Sequence, residues 1–421
     1  VRSWPRLASL GPFRQPGFRR QWPADLATSW AFEIETLALG WYILVETGSV
    51  LWLTAFASVQ YLGTLVAPMF GVAGDRIGAR RLLATMRGFY AMQAAAIAAM
   101  ALTGTLGPPQ VLVVAALMGL VRPSDLGLRS TLIAISMPPG MMTQAMGISR
   151  CSADSARIVG ALAGAGLVAA LGIGSAYLVV TGLYLFSLGL TLAVPVPPFL
   201  ALAPSSPWRD LRDGFAHVLA SPPLLATMLL AFLVNLAAFP TTGGLLPYVA
   251  REIYGMDRGG LGTLIACFAG GALAGSLVVI SRGAALAAGR SMVLSCLVWF
   301  PLLLVFAQLR DPAAGMALMV LIGFTQSFAM VPMTVILLRC TQDRYRGRVM
   351  GLRMLAVYGL PIGLLLSGPA IEWLGFAGAT TLYAGIGLAC TVLIGLVWRR
   401  HLWPAEAPAN HPGPGQAGGA G

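Results

Sequence analysis

Apolar residues run along this chain in long uncharged stretches, separated by short clusters of arginine, proline and glycine. Residues 47–74 carry no charge. Residues 88–121 carry none, and Gly107-Pro108-Pro109 breaks them into a hairpin. Residues 158–208 carry none, with breaks near 171–175 and at Pro195, Pro197 and Pro198. In the second half the runs are 259–281, 291–309, 312–338, 354–371 and 373–398. A helix needs about 20 apolar residues to cross a bilayer. The pattern therefore predicts twelve spans, at 23–45, 50–72, 82–103, 110–133, 146–169, 176–196, 223–247, 260–281, 291–309, 314–337, 349–370 and 377–398.

Features recur at an offset of about 210 residues, which marks an internal repeat. Arg80-Arg81 opens the third span and Arg290 the ninth; Arg129 ends the fourth and Arg339 the tenth; Thr47-Gly48 corresponds to 257–260. The predicted fold is an all-α membrane protein of twelve transmembrane helices in two six-helix bundles, with a midplane site between them. The expected divisions are a cytoplasmic segment at 1–21, a first bundle at 22–196, a linker at 197–221, a second bundle at 222–398 and a disordered Pro/Gly/Ala-rich tail at 399–421.

Composition agrees with this pattern. Of 421 residues 27 are basic and 15 acidic, so 10% are charged, against about 25% in an ordinary soluble domain. Hydrophobic residues make up 57%, which excludes intrinsic disorder. Every basic residue is an arginine. With the N-terminus inside, seventeen arginines (2, 6, 14, 19, 20, 76, 80, 81, 209, 212, 282, 290, 344, 346, 348, 399, 400) fall in inner segments. Three (251, 258, 310) fall in outer loops. The positive-inside rule then places both termini in the cytoplasm of a bacterial-type inner membrane. The first 21 residues lack the apolar core and cleavage site of a signal peptide. The net charge of +12 is expected to meet anionic lipid head groups and not nucleic acid.

Reactive chemistry is sparse. Cys151, Cys267, Cys296, Cys340 and Cys390 are scattered, without metal or redox spacing, and read as small core residues. His217, His401 and His411 form no ligand cluster. No metal or cofactor is expected. Without lysine there is no phosphate-binding loop of the Gly-x-x-x-x-Gly-Lys type, and no nucleophile–base pair suggests an enzyme.

At the junction of the second and third spans the sequence reads Gly71-Val72-Ala73-Gly74-Asp75-Arg76-Ile77-Gly78-Ala79-Arg80-Arg81. It resembles the loop signature of the major facilitator superfamily, with Ala79 in place of one basic residue. Val45-Glu46-Thr47-Gly48-Ser49, Ala156-Arg157-Ile158-Val159-Gly160, Leu246-Pro247-Tyr248-Val249-Ala250-Arg251 and Tyr345-Arg346-Gly347-Arg348-Val349-Met350-Gly351 resemble the branch of that superfamily with the enterobactin exporter and macrolide efflux proteins. The resemblance covers about residues 18–400. It implies a cytoplasmic latch between bundles at Gly71, Asp75, Arg76, Gly78, Arg80 and Arg81, with Arg346, Gly347 and Arg348 as a second-half gate. Residues 281–290 keep basic residues but no aspartate, so the latch is expected to be asymmetric. Gly160 to Gly166 resembles the superfamily's antiporter motif, with Ala161 and Ala165 departing from it. Its small-xxx-small spacing is also ordinary helix packing.

Charges inside spans are costly and mark function. The fourth span carries Arg122, Asp125 and Arg129; the fifth carries Arg150, Asp154 and Arg157. Each set lies on one helical face, and the two are mirror images about Pro139-Gly140. The expectation is a hairpin of facing ladders, 129 with 150, 125 with 154 and 122 with 157. Glu33 and Glu35 in the first span supply two further acids, about 200° apart around the helix, and the sequence does not choose between them. A carboxyl in a low dielectric holds its proton more tightly, and an approaching arginine releases it. These eight residues are candidates for proton coupling or substrate binding, or for a static gate. Trp41, Tyr42, Gln60, Tyr61, Asn235, Gln326, Met330 and Tyr358 are cavity candidates. The expected function is secondary transport: proton-coupled efflux of a small organic or amphipathic compound by rocker-switch alternating access, in a monomer. Organic-anion or lipid transport without protons stays open, as does a non-transport scaffold.

Overall fold

The computed structural model describes residues 8–138, 141–195, 207–282, 287–341 and 346–403. Among the described residues the chain is helical throughout. The helices are α1 (Pro16–Thr47), α2 (Val50–Val59), α3 (Ala67–Ile77), α4 (Ala79–Leu102), α5 (Pro108–Ser136) and α6 (Met142–Leu192). They continue as α7 (Pro207–Ala220), α8 (Pro222–Ala237), α9 (Leu246–Tyr248), α10 (Arg258–Arg282), α11 (Ala288–Gln308) and α12 (Pro312–Arg339). The last three are α13 (Arg346–Val357), α14 (Gly359–Val397) and α15 (Arg399–Leu402).

Six of these helices, α5, α6, α10, α11, α12 and the run through α14, are long and apolar enough to cross a membrane by themselves. The twelve-span arrangement follows once three kinds of break are read. Both α6 and α14 are two spans joined at a glycine: Gly172 has φ 74° and ψ 170°, and Gly375 has φ 70° and ψ 169°. Only glycine adopts that conformation without steric cost. Gly48 at the end of α1 has φ 60° and Gly255 before α10 has φ 61°. The same backbone joints thus recur about 205 residues apart, which is the repeat seen in the sequence. The second span is not the continuous helix expected over 50–72. It unwinds after Val59, passes through a tight turn at Leu62–Thr64 and resumes as α3. There Gly63 meets the Leu120 backbone and Gly119 meets the Val59 backbone so closely that neither position has room for a Cβ. The seventh span is likewise interrupted, by wide turns at Pro240–Gly244 and Val249–Ile253.

The expected boundary at residue 21 lies inside a helix, since α1 starts at Pro16 with proline in its first turn, where no N–H partner is lost. Within the linker, α7 is helical, and its Val218 packs on Leu224, Leu337, Val349 and Leu352 of the second half. The expected tail begins with the short helix α15, whose Leu402 is buried. Pro139, Gly140 and residues 404–421 of the tail lie outside the described residues.

Each half has an apolar core, and that of the second half extends across the seam to Leu37, Trp41, Val50, Ala161 and Ala165. The first centres on Leu83, Tyr90, Ala94, Ile97, Tyr177 and Tyr184, the second on Leu230, Trp299, Phe300, Leu303 and Phe306. Three hydrogen bonds join the halves among the described residues: Arg251 to the Leu44 carbonyl (2.6 Å), Arg258 to the Val168 carbonyl (3.3 Å) and Ser58 to the Pro361 carbonyl (3.2 Å). The first two lie at the end bearing Gly48 and Gly172, here called the far end. The opposite end, where α1 begins and α14 finishes, is the basic end. The Gly160–Gly166 stretch serves both seams. Gly160 and Gly164 let α1 approach, a Cβ at Gly160 falling 2.7 Å from Glu33 Cβ. Ala161 and Ala165 pack on Gly262 of α10 across the interface.

Candidate functional site

The two charged ladders do not face each other. Arg122 and Arg129 of α5 and Arg157 of α6 turn to α1, which is packed along both helices, while Arg150 stays with its own helix. On α5, Arg129 pairs with Asp125 one turn back and donates to the Asp25 carbonyl (3.1 Å) and Ser29 Oγ (2.9 Å) of α1. On α6, Arg150 pairs with its own Asp154 at 3.2 Å, and Arg157 lies 3.7 Å from Glu33 of α1. The hairpin register expected from the mirror-image sequence is therefore corrected. Antiparallel neighbours of like pattern set arginine level with arginine, and a third helix carrying acids and hydroxyls satisfies both ladders better.

Two members of the network were missed from sequence, Asp25 and Arg87. The Arg87 guanidinium is fully buried and pairs with Asp25, while its other nitrogen donates to Thr191 Oγ1. Gln21 Nε2 donates to Asp25 Oδ2 (3.2 Å) and to the Arg129 carbonyl (2.9 Å). The result is a buried quartet of two arginines and two aspartates that ties α1, α4, α5 and α6 together near the basic end. Buried charges of this kind hold only when paired and hydrogen-bonded. The signal was available: Arg87 stands inside the predicted third span, and Asp25 inside the first.

Nearer the middle of the bundle lies a small cavity of about 20 Å³, room for about one water. Glu35, Thr36, Phe56, Gln60, Met118 and Arg122 contribute to its lining. Arg122 donates to Thr36 Oγ1 (3.0 Å) and Gln60 Oε1 (3.1 Å), and its guanidinium sits 4.2 Å from the centre of the Phe32 ring. The break after Val59 is what turns Gln60 toward this arginine. Glu35 is 5% exposed; its Oε2 accepts from the Tyr184 hydroxyl at 2.8 Å, and its Oε1 has no partner. Glu33 is half-buried and faces α6. The structure thus uses both glutamates: Glu35 points into the bundle and Glu33 onto the ladder of α6.

The loop signature is partly visible. Its first seven residues belong to α3, and Gly78, at φ 89°, is the joint to α4. Arg80 donates to the Val194 carbonyl (3.0 Å) and Arg20 to the Ala193 carbonyl (2.7 Å), so both close the end of α6 within the first half. Arg81 is exposed. The side chains of Asp75, Arg76, Arg346 and Arg348 lie outside the described residues, as do the surroundings of Gly71 and Gly347. Among the other candidates, Tyr42 donates to the Leu106 carbonyl (2.8 Å) and Asn235 to the Ala231 carbonyl (2.8 Å), which are packing roles. Of the cysteines only Cys296 is buried; Cys151 and Cys340 are exposed, contrary to the core reading.

Comparison with known proteins agrees with this architecture. Residues 26–287 and 228–419 match the sequence model of the Major Facilitator Superfamily. The chain belongs to that superfamily and is a multi-pass membrane transporter, not an enzyme. Among solved structures it is similar to a mutant form of the nucleoside transporter NupG, with 15% identity, 92% of this chain and 99% of that one covered, and a TM-score of 0.73. It is also similar to the human organic anion transporter MFSD10, with 18% identity, coverage of 90% and 99%, and a TM-score of 0.62. The POT family transporter PepTSo gives 10% identity, coverage of 95% and 99%, and a TM-score of 0.73. At these identities the likeness is one of fold. No curated protein matches the chain.

Proposed function

We propose that this transporter exports a small organic or amphipathic compound against proton entry, by rocker-switch alternating access. We further propose that it sits in a bacterial-type inner membrane with both termini in the cytoplasm. The observation that carries the reading is the unequal tethering of two carboxylates on opposite faces of one turn of α1. Glu33 meets Arg157 at 3.7 Å on a half-exposed face, while Glu35 sits buried beside Arg122 with one oxygen free of partners. A shift of α6 along α1 separates Arg157 from Glu33, and a shift of α5 takes Arg122 from Glu35. Either movement changes the field at a carboxylate able to carry a proton. Both pairs lie within the first bundle, so the proposed coupling runs through rearrangement of α5 and α6 against α1 as the bundles rock, which joins conformation and proton occupancy in one equilibrium.

The closed far end supports alternating access. Its contacts are backbone carbonyls taken by Arg251 and Arg258 and a seam of small residues, which re-form easily after separation. The test uses everted vesicles with an imposed pH gradient and a panel of organic substrates. A substrate is expected to collapse the gradient with the wild type and not with Glu33→Gln or Glu35→Gln. Substrate movement that persists unchanged after both pH gradient and membrane potential are abolished rejects proton coupling.

A further inference from the structure

Among the described residues, the arginines inside the spans pair with an acid or share a cavity with one, except Arg353. Arg87 and Arg129 are balanced by Asp25 and Asp125, Arg150 by Asp154 and Arg157 by Glu33. Arg122 shares its cavity with Glu35. Arg353, eight residues into α13, is half-buried and has no ion pair or hydrogen bond among the described residues.

The surroundings of Arg353 point toward the seam between the bundles. Leu360 and Leu364 follow it at i+7 and i+11, and both pack on Ala57 of the first bundle in a small apolar cluster with Tyr61 and Phe239. Tyr358, between α13 and α14, keeps a near-helical backbone (φ −66°, ψ −12°), so the helical phase carries across it and Arg353 lies toward the side turned to the first bundle, about two turns nearer the basic end. The other side of α14 is accounted for, since Gly359 and Gly363 are pressed against the α8 backbone at Phe232 and Leu236. An arginine at membrane depth is retained at a cost, and its ordinary explanation is a partner or a substrate.

We infer that the transported compound is an amphipathic organic anion. Its carboxylate, sulfonate or phosphate group docks on Arg353, and its apolar body lies against Tyr61, Phe239 and Leu360. Guanidinium suits such a group because its N–H fork matches two acceptor oxygens. The inference rests on the transporter reading and not on proton coupling, because docking needs no gradient.

Binding in neutral-lipid nanodiscs separates the two. The probes are 1-naphthoate, naphthalene-1-sulfonate and 1-naphthyl phosphate, with uncharged 1-naphthamide as the isostere, read by thermal stabilisation of the purified full chain. At least one anion is expected to stabilise the wild type at a concentration about tenfold below that needed for naphthamide. Arg353→Gln removes the difference, Arg353→Lys restores part of it, and Arg310→Gln in an outer loop leaves it intact. Equal responses of wild type and Arg353→Gln to every anion, including no response from either, overturn the inference. So does full competition by phosphatidylglycerol added to the discs, which assigns the arginine to a lipid head group. Failure of proton coupling in vesicles leaves all these outcomes unchanged.

Discussion

The Tyr184 hydroxyl donates to Glu35 Oε2 at 2.8 Å, and this bond joins the sixth span of the first bundle to its first. It holds a carboxylate in an aromatic surround of Phe32, Tyr90 and Tyr184, whose ring centres lie 5.2–5.9 Å apart. Hydrogen bonds to charged groups contribute about 1.5–3 kcal/mol. Tyr184→Phe is therefore expected to lower the stability of the purified protein by about 1–2 kcal/mol while leaving the helix content intact. Thermal unfolding followed by circular dichroism checks this, and an unchanged midpoint speaks against the bond.

The buried pair Arg87–Asp25 behaves differently. Removing one partner leaves a stranded charge, which costs about 3–5 kcal/mol. Asp25→Leu and Arg87→Met are each expected to reduce folded yield sharply. The double variant is expected to recover much of it, because apolar residues of similar volume avoid desolvating both ions. A double-mutant cycle on thermal stability reads the coupling. Additive losses contradict a direct pair.

Close approach of α1 and α6 depends on Gly160. A Cβ there falls 2.7 Å from Glu33 Cβ and 3.4 Å from the Trp30 carbonyl, whereas at Gly166 nothing lies within 4 Å. Gly160→Val is expected to destabilise by about 1–3 kcal/mol through overpacking and to lower transport by separating Glu33 from Arg157. Gly166→Ala is expected to be neutral within about 0.5 kcal/mol. Parallel transport and stability assays of the two variants give the comparison.

Gly262 sits in the seam between bundles, with Ala165 Cβ 2.8 Å and the Ala161 carbonyl 3.0 Å from where its Cβ would be. Gly262→Leu is expected to hold the far end apart. In a cysteine-free background, a single cysteine at Val168 then becomes more reactive to an impermeant maleimide added from the far side. No gain in labelling contradicts the assignment of this seam to closure.

Much of this fold was legible because membrane crossing imposes strong constraints on sequence. Uncharged runs marked the spans, and the breaks between them marked the joints, at 171–175 around Gly172 and at Glu372 just before Gly375. The interruptions in the second and seventh spans were hidden, since Gly63 and Pro240 look ordinary until a neighbouring backbone presses on them. At the site, the charged residues of α5 and α6 were visible, but their partners were not. Symmetry between two sequences suggests a pair, and it carries no information about a third helix packed along both. Glu33 and Glu35 could not be ranked because helical position alone sends them to opposite faces, and the structure satisfies both faces. Asp25, Arg87 and Arg353 were overlooked for one reason: each lies near a span end, where an arginine or aspartate reads as a boundary marker until its burial is seen.

Proton coupling through the carboxylates of α1 is the central claim, and one measurement reaches it directly. Purified protein in sealed liposomes with an internal pH dye and an imposed gradient is challenged with the naphthyl anions. The account predicts proton flux on addition of a transported anion, lost in Glu35→Gln and in Glu33→Gln while the anion still binds. Anion transport with no accompanying proton movement, at equal rates in wild type and both variants, would contradict it.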